Sequence, residues 1–587
     1  MKKKDCIFKM ISYLIVLLMG PFLGIGQIFT KVTNGAIVSS PADSRSVNWV
    51  DVNNDGWLDL FISNGKAGGQ NNMLYLNQGN GNFLAVDNDP IVLDSKPSDG
   101  ATFADCDNDG DLDAYVVNWY NEDNLFYLND GSGHFTEVIG TVSDTNGYCE
   151  TAAWGDYDND GQLDLYVTKS GPSVGTRRNQ LYHNDGGATF TKILTGDMVT
   201  NSYTSRCINW TDIDLDGLPD IFVTNEGTSN TNENLYHNDG AGNFTRITTG
   251  DLLNDGGKTM SSSWADYDND GDLDVYLTND GSNNVLFRND GNLIFTKMAS
   301  DPVSNTNSHS FSSAWSDIDN DGDLDLFVTN SYNPTPELLH NFLYLNNGDG
   351  TFTQNFSELP ATDASWSYGC AFGDYDNDGF EDLAVATVAF NGVDAPDFLY
   401  HNTPNNNHWI TIKLVGRFTN KSAIGTRIHI KATINGVSVW QMREISAQSS
   451  YCGQNDLRAH FGLGDATTID EIKIEWPSSI EETILSVAGN QFITIVEGQG
   501  ILGVNQTKHS DDFFLYPNPV KSVLNIIWAD KSPIVSTDIY NTLGQLVLTI
   551  PSAQQTKTVD VSSLKTGNYV VKINSEKGSS SAKFVKI

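Results

Sequence analysis

Basic side chains are scarce in this 587-residue chain: 34 lysines and arginines stand against 74 aspartates and glutamates, a formal net charge of −40. A surface that negative repels nucleic acid and anionic lipid headgroups, which argues against both as partners. Cysteine is nearly absent. Cys6 precedes the N-terminal apolar run, and Cys106, Cys149, Cys207, Cys370 and Cys452 are too few and too scattered for a disulfide framework. One or two bridges remain allowed outside the cytoplasm, there is no CxxC pair or zinc set, and Cys370, two residues before an apolar strand position, reads as core. Beyond residue 26 no apolar run is long enough to span a bilayer. Apolar content itself is ample: 39% hydrophobic and 11% aromatic residues exclude a disordered acidic tail.

The charge is unevenly spread, with 58 acidic and 13 basic side chains inside 27–404. Residues 1–26 open with Lys2, Lys3 and Lys4, add Lys9, and carry an apolar run from Ile11 to Phe22 and the small residues Gly24 and Gly26. They read as a Sec signal peptide cut between Gly26 and Gln27. At the other end short alternating strands follow Tyr516-Pro517-Asn518-Pro519-Val520, with turn-rich Asn541-Thr542-Leu543-Gly544-Gln545 and Leu564-Lys565-Thr566-Gly567-Asn568 between them. This predicts a small β-sandwich over 513–587, preceded by a linker over 501–512. The same motifs resemble the C-terminal sorting domain of the type IX secretion system of Bacteroidetes. The resemblance implies the secretion machinery as a partner and a destination outside the cell or on the outer-membrane surface.

Within 27–404 the pattern Asp-x-Asp/Asn-x-Asp-Gly-x-x-Asp occurs seven times at intervals of 51 to 57 residues. Its carboxylate and amide positions 1, 3, 5 and 9 are Asp51, Asn53, Asp55 and Asp59; Asp105, Asp107, Asp109 and Asp113; Asp156, Asp158, Asp160 and Asp164; and Asp212, Asp214, Asp216 and Asp220. The remaining copies place them at Asp266, Asp268, Asp270 and Asp274; Asp317, Asp319, Asp321 and Asp325; and Asp374, Asp376, Asp378 and Asp382. An aromatic stands two residues upstream (Trp49, Phe103, Trp154, Trp210, Trp264, Trp315, Phe372) and a Leu-Tyr-x-Asn hairpin follows. Four strands per unit predict an all-β fold, a seven-bladed β-propeller. The seventh hairpin lacks its last strand, and residues 28–32 have the missing sequence, so they are expected to pair with Phe398–Asn402 and close the ring.

Glycine at position 6 turns each loop back so that the acids converge, and several anionic oxygens suit calcium better than magnesium or zinc. Position 12 is apolar in every copy (Ile62, Val116, Val167, Val223, Leu277, Val328, Val385), which excludes an EF-hand. The repeats resemble the FG-GAP/VCBS repeats of integrin-type propellers, whose loops bind calcium, and the resemblance implies up to seven structural ions. Asn53 predicts a weaker first site, and acids at position 7 (Asp111, Asp272, Asp323) are expected to offer a backbone carbonyl alone.

Residues 405–500 break the repeat and alternate as strands. Ala423-Ile424-Gly425-Thr426-Arg427, Gln454-Asn455-Asp456-Leu457-Arg458, His460-Phe461-Gly462-Leu463-Gly464 and Trp476-Pro477-Ser478 resemble the ASPIC/UnbV domain, as in the cartilage acidic protein family. That family carries no settled activity over. Arg443, Asp456, Arg458 and His460 read either as a polar site or as an ion-paired strand edge.

The first functional reading is a non-enzymatic calcium-stiffened surface protein whose variable connectors meet a glycan or a protein. Trp119, Tyr120 and Tyr332 offer stacking surfaces and Arg177-Arg178 an anion contact. The second is a calcium-dependent lyase or dehydratase acting on carbohydrate. His183, His237 and His401 share one repeated hairpin position and read as scaffold, which leaves His309 and His340 as bases; no nucleophile elbow, phosphate loop or HExxH occurs. The third is an accessory of surface assembly docked through the middle module.

Overall fold

The computed structural model describes residues 27–502, apart from 80, 144–146, 228–231 and 334–337, and residues 513–586, apart from 518–519, 529–533, 542–544, 552–557 and 576–577. The expected leader over 1–26, residues 503–512 of the linker, Asn518-Pro519 and 542–544 lie outside the described residues.

Each acidic loop joins the first two strands of a four-stranded antiparallel sheet. In the first copy Ser44–Val50, Asp59–Asn64, Met73–Asn77 and Phe83–Ala85 lie side by side in that order. The second copy repeats it with Ser98–Ala104, Asp113–Asn118, Leu125–Asn129 and Phe135–Glu137. In the first three units and the last the first strand is buried along its whole length, because one face packs on neighbouring sheets and the other looks into a central channel. The upstream aromatics wedge between sheets: the Trp49 indole N–H donates to Ala371 O (3.2 Å) and that of Trp210 to Ala153 O (3.1 Å). The sheets together resemble the blades of a β-propeller. As expected, the last sheet is completed from the N-terminus, with Phe29, Thr30 and Lys31 paired antiparallel to Asn402, His401 and Tyr400.

A hairpin asparagine ties consecutive units. Asn77 Nδ2 donates to Leu58 O of its own loop and to Tyr375 O of the preceding one, at 3.0 and 2.7 Å. Asn129, Asn184, Asn238, Asn289, Asn346 and Asn402 do the same in their places. That is why asparagine recurs in the Leu-Tyr-x-Asn hairpin: a primary amide can feed two buried carbonyls at once.

The middle segment folds into two four-stranded sheets. One holds Ala459–Gly464, His408–Val415, Gln491–Val496 and Gly500–Ile501; the other holds Val437–Glu444, Arg427–Ile434, Thr468–Glu475 and Glu481–Ala488. Ile410, Ile428, Ile430, Phe461 and Ile472 lie in the core between them.

This segment is no separate bead. Its 447–455 stretch enters the channel and meets the first strand of every repeat. Gly453 and Gln454 pair in parallel with Val47 and Asn48, and the Gln454 amide both accepts from Phe103 N (2.8 Å) and donates to Phe103 O (2.9 Å). Tyr451 OH donates to Glu150 Oε2 at 2.7 Å, Asn209 Nδ2 to Gln448 O at 3.1 Å, and Tyr451 N to Ser261 Oγ at 3.0 Å. Ser313 N donates to Ser450 Oγ and Phe372 N to Asn455 Oδ1, at 3.0 and 2.9 Å. Gly369 is required here, since a Cβ would stand 2.1 Å from Cys452 O.

At the C-terminal end, two antiparallel sheets carry a core that includes Leu524, Ile539, Val571, Ile573 and Phe584, in line with the expected sandwich. The five described cysteines are all buried, and no disulfide joins any two of them.

Candidate metal centres

The seven loops share one geometry. Position 1 accepts the N–H groups of positions 5 and 6; in the second loop Asp109 N donates to Asp105 Oδ1 (3.0 Å) and Gly110 N to Asp105 Oδ2 (2.7 Å). Position 9 accepts from position 2 and from the hairpin asparagine: Cys106 N to Asp113 Oδ2 (3.1 Å) and Asn129 N to Asp113 Oδ1 (3.0 Å). Position 4 has positive φ in every copy, from Asn159 at 55° to Asn108 at 65°, with Leu215 at 61° as the non-asparagine case. Its side chain reaches the next loop: Asn108 Nδ2 to Gly161 O (2.9 Å), Asn159 to Gly217 O (3.0 Å), Asn320 to Gly379 O (2.8 Å) and Asn377 to Gly56 O (3.3 Å). Leu215 cannot donate, so the belt has a gap after the fourth loop.

Backbone donors thus occupy positions 1 and 9, and at position 3 Asn53, Asp107 and Asp376 accept the N–H of position 5, whereas the other four copies leave an oxygen over. Asp158, Asp214, Asp268 and Asp319 each keep a buried Oδ1 with no hydrogen-bond partner. In the second and third loops, carboxylate oxygens of positions 1, 3 and 9 lie within 4.8 Å of one another. Buried, unpaired, mutually repelling carboxylate oxygens fit a hard divalent cation and fit little else. Burial first, and then the neighbouring carboxylates, push Asp105 and Asp156 up to about 7 and Asp274 to about 9.

Two refinements follow. The acids at position 7 do more than offer a carbonyl, since Asp111 Oδ1 accepts from Asn54 (2.7 Å) and Asp323 Oδ1 from Asn269 (3.0 Å). The scaffold histidines stand beside the loops: His183, His237 and His401 each group with the position 3 and 5 carboxylates. His401 Nδ1 lies 3.1 Å from Asp382 Oδ1, and that bond holds the imidazole up to about 9.

The middle module rests on this loop face. Asp105 N donates to Ser422 Oγ (2.9 Å), Gly462 N to Asp317 Oδ2 (3.1 Å), and Arg458 Nη2 to Asp374 O (3.3 Å), while Arg427 pairs with Asp212. Arg443, Asp456, Arg458 and His460 therefore come together at the junction. Asp456 pairs with Arg458, and His460 lies between Thr411 (3.0 Å) and Asn320 (2.6 Å).

At the other end of the first strands the repeat is broken. One residue per unit gives Arg45, Asp99, Glu150 and Arg206 on one side of the channel and Met260, Phe311 and Tyr368 on the other. Arg45 Nε lies 3.4 Å from Asp99, and Arg206 pairs with Glu150 and Glu226. Trp119, named from sequence, donates to Glu150 Oε1 at 2.8 Å and stacks edge-on with Tyr120 at 4.8 Å. Tyr332 packs on Trp366 at 5.1 Å, with the Arg45 guanidinium 6.0 Å from its ring. Tyr120 and Tyr332 remain 48% and 37% exposed, so residues more than 200 positions apart share one mouth.

The remaining candidates stand apart from these groups. His309 meets Asp280 (2.5 Å) where two sheets join; His340 lies in a two-residue strand against Ala364. Arg177 Nε donates to Gly171 O, and Arg178 is exposed.

Comparison with known proteins agrees with the sequence motifs. Models of an FG-GAP-like repeat match residues 51–116, 105–167, 212–277, 266–328 and 317–385. The ASPIC and UnbV model matches 416–502, and that of the secretion system C-terminal sorting domain matches 514–587. No curated protein matches. Among solved structures, BBS1N in complex with ARL6DN is 12% identical over 65% of this chain and 98% of its own, with a TM-score of 0.40. The six-bladed β-propeller lectin of Aleuria aurantia is 13% identical over 55% of this chain and 98% of its own (TM-score 0.32). The exotype rhamnogalacturonan lyase YesX is 14% identical over 64% and 76% (TM-score 0.38).

Proposed function

We propose that this chain, which carries FG-GAP-like repeats, an ASPIC/UnbV domain and a type IX sorting domain of Bacteroidetes secretion, is a calcium-stiffened seven-bladed propeller that binds a glycan or a surface protein without catalysing a reaction. The sorting domain directs it to the cell surface or beyond. The observation that carries the calcium reading is the set of buried position-3 oxygens without partners at Asp158, Asp214, Asp268 and Asp319. Ions at the loops neutralise the acids, fix the belt of asparagines and hold the face on which the middle module rests.

The ligand face we assign is the opposite mouth. The module's 447–455 stretch runs through the channel, and its Tyr451 OH reaches Glu150 at this mouth, where Tyr120 and Tyr332 stay exposed around a ring of charges. Aromatic faces beside polar groups suit sugar rings and protein side chains alike. A glycan array paired with pull-down from outer membranes tests this. Trp119→Ala and Tyr332→Ala should each weaken capture about tenfold, on the order of 1.4 kcal/mol. Unchanged capture by both variants would remove the mouth from the reading.

A further inference from the structure

A cavity of about 140 Å³, partly open to solvent, lies between the loop face and the middle module. Trp210, Trp264 and Trp315 line it, together with Arg443, Glu381 and Glu444. Neither the calcium loops nor the channel mouth uses these groups.

Arg443 is under-used. Its Nη1 donates to Met442 O (2.8 Å), its Nη2 reaches Gln441 Oε1 at 3.5 Å, and its plane rests 5.0 Å from the Phe461 ring. A guanidinium has five N–H donors, and among the described residues no carboxylate lies within 4.0 Å of it. The Trp264 indole N–H, buried at the same wall, has no partner. Opposite kinds of group are also available. Glu381 Oε2 accepts from Ser316 Oγ (2.7 Å), and Glu444 Oε2 takes a 3.4 Å bond from Asp212 N.

These walls select by chemistry. An anion would meet Arg443 but also the carboxylates of Asp266, Asp317, Glu381 and Glu444. A cation would face the buried guanidinium, and an apolar ring would leave its donors unsatisfied. Hydroxyl groups both donate and accept, and the C–H faces of a ring suit indole walls. A volume close to the ~150 Å³ that accommodates one benzene-sized ring holds no more than the core of a single sugar ring, whose outer substituents and any further residues leave through the opening.

We infer that this cavity binds one neutral sugar ring, the terminal residue of a glycan, through Arg443, Trp264, Glu381 and Glu444. The site lies across the molecule from the mouth and belongs jointly to both domains, so neither domain alone completes it.

The test uses the full chain in calcium, titrated with free D-glucose, D-galactose, D-mannose, L-fucose and L-rhamnose at millimolar concentrations. Tryptophan emission and titration calorimetry are the readouts. At least one sugar should give a saturable change in emission, and Arg443→Gln and Trp264→Phe should each weaken its binding tenfold or more. Trp264→Phe preserves the aromatic wall, and its melting temperature shows whether the fold is kept. No saturable response to any sugar, as for a cavity holding only water, overturns the inference. So does equal binding by parent, Arg443→Gln and Trp264→Phe. If binding is instead lost only in Trp119→Ala or Tyr332→Ala, the cavity is excluded while the mouth reading stands; if neither the glycan array nor the pull-down yields a ligand, both fall.

Discussion

The first and sixth acidic loops have the same motif and opposite surroundings. Asp55 and Gly56 are exposed, and Asn53 closes its own network: its Oδ1 accepts from Asp55 N and its Nδ2 donates to Asp55 Oδ2, both at 3.0 Å. In the sixth loop Asp317 is buried, Gly462 of the middle module donates to it, and Asp319 keeps an oxygen with no partner. Asn405 and Asn407 also reach over to Asp319 O. The exposed loop satisfies itself with one amide, whereas the covered loop holds desolvated charge. On the calcium reading proposed above, the need for a cation grows where the second module sits, and an ion there would help hold the two domains together.

Chelation is the strongest way to break that comparison. Excess EGTA should lower the melting temperature by roughly 10 °C or more, because several ions bind only the folded state. In chelator the pH dependence has a definite sign. Asp113, Asp156 and Asp382 are pushed up to about 7 by burial first, while in an unfolded chain they titrate near 4. The folded state then holds protons that the unfolded state releases. This stability is complete below about pH 4 and is lost as pH rises through about 7. Calcium should flatten the slope, as calorimetry between pH 4 and 8 reads directly; a melting temperature indifferent to chelator at pH 8 would take calcium out of the loops.

Much of this was legible in the sequence, and the rest was not for identifiable reasons. The loops, the four-strand units and the pairing of residues 28–32 with Phe398–Asn402 follow from a local pattern repeated many times, so each copy checks the others. Position 4 was readable in principle: asparagine recurs there in six loops because it tolerates positive φ and can still donate to the next loop. The hairpin asparagine carried the same kind of signal. The 447–455 plug had none. Its residues meet seven strands that are distant in sequence, and their small side chains (Gly100, Ser261, Ser312, Gly369) look unremarkable until the channel they make room in exists. Arg443 and His460 were visible as polar residues, but what they face depends on docking, which no periodicity encodes.

A smaller effect separates a metal ligand from a residue that merely caps a turn. In calcium, Asp319→Asn should cost roughly 3–5 °C and Asp55→Asn about 1 °C, since the covered loop has less water to replace a lost ligand. In chelator the sign at 319 should invert, because the substitution removes a buried charge that has no partner. Loss of stability under both conditions would make Asp319 a hydrogen-bonding residue and leave the two loops alike.

The smallest and sharpest change is Asn53→Asp. It gives the first loop the acid present at position 3 in the six other copies, and it replaces the Nδ2 donor to Asp55 by a like charge. Without calcium that exchange should cost a few tenths of a kcal/mol, damped by exposure. With calcium a fourth carboxylate joins the site, and the weakest step of a calcium titration should tighten about tenfold while the stronger steps stay put. If the weakest step does not move, the weak site lies elsewhere. The fourth loop, where Arg427 competes for Asp212 and Leu215 interrupts the belt, would then take that place.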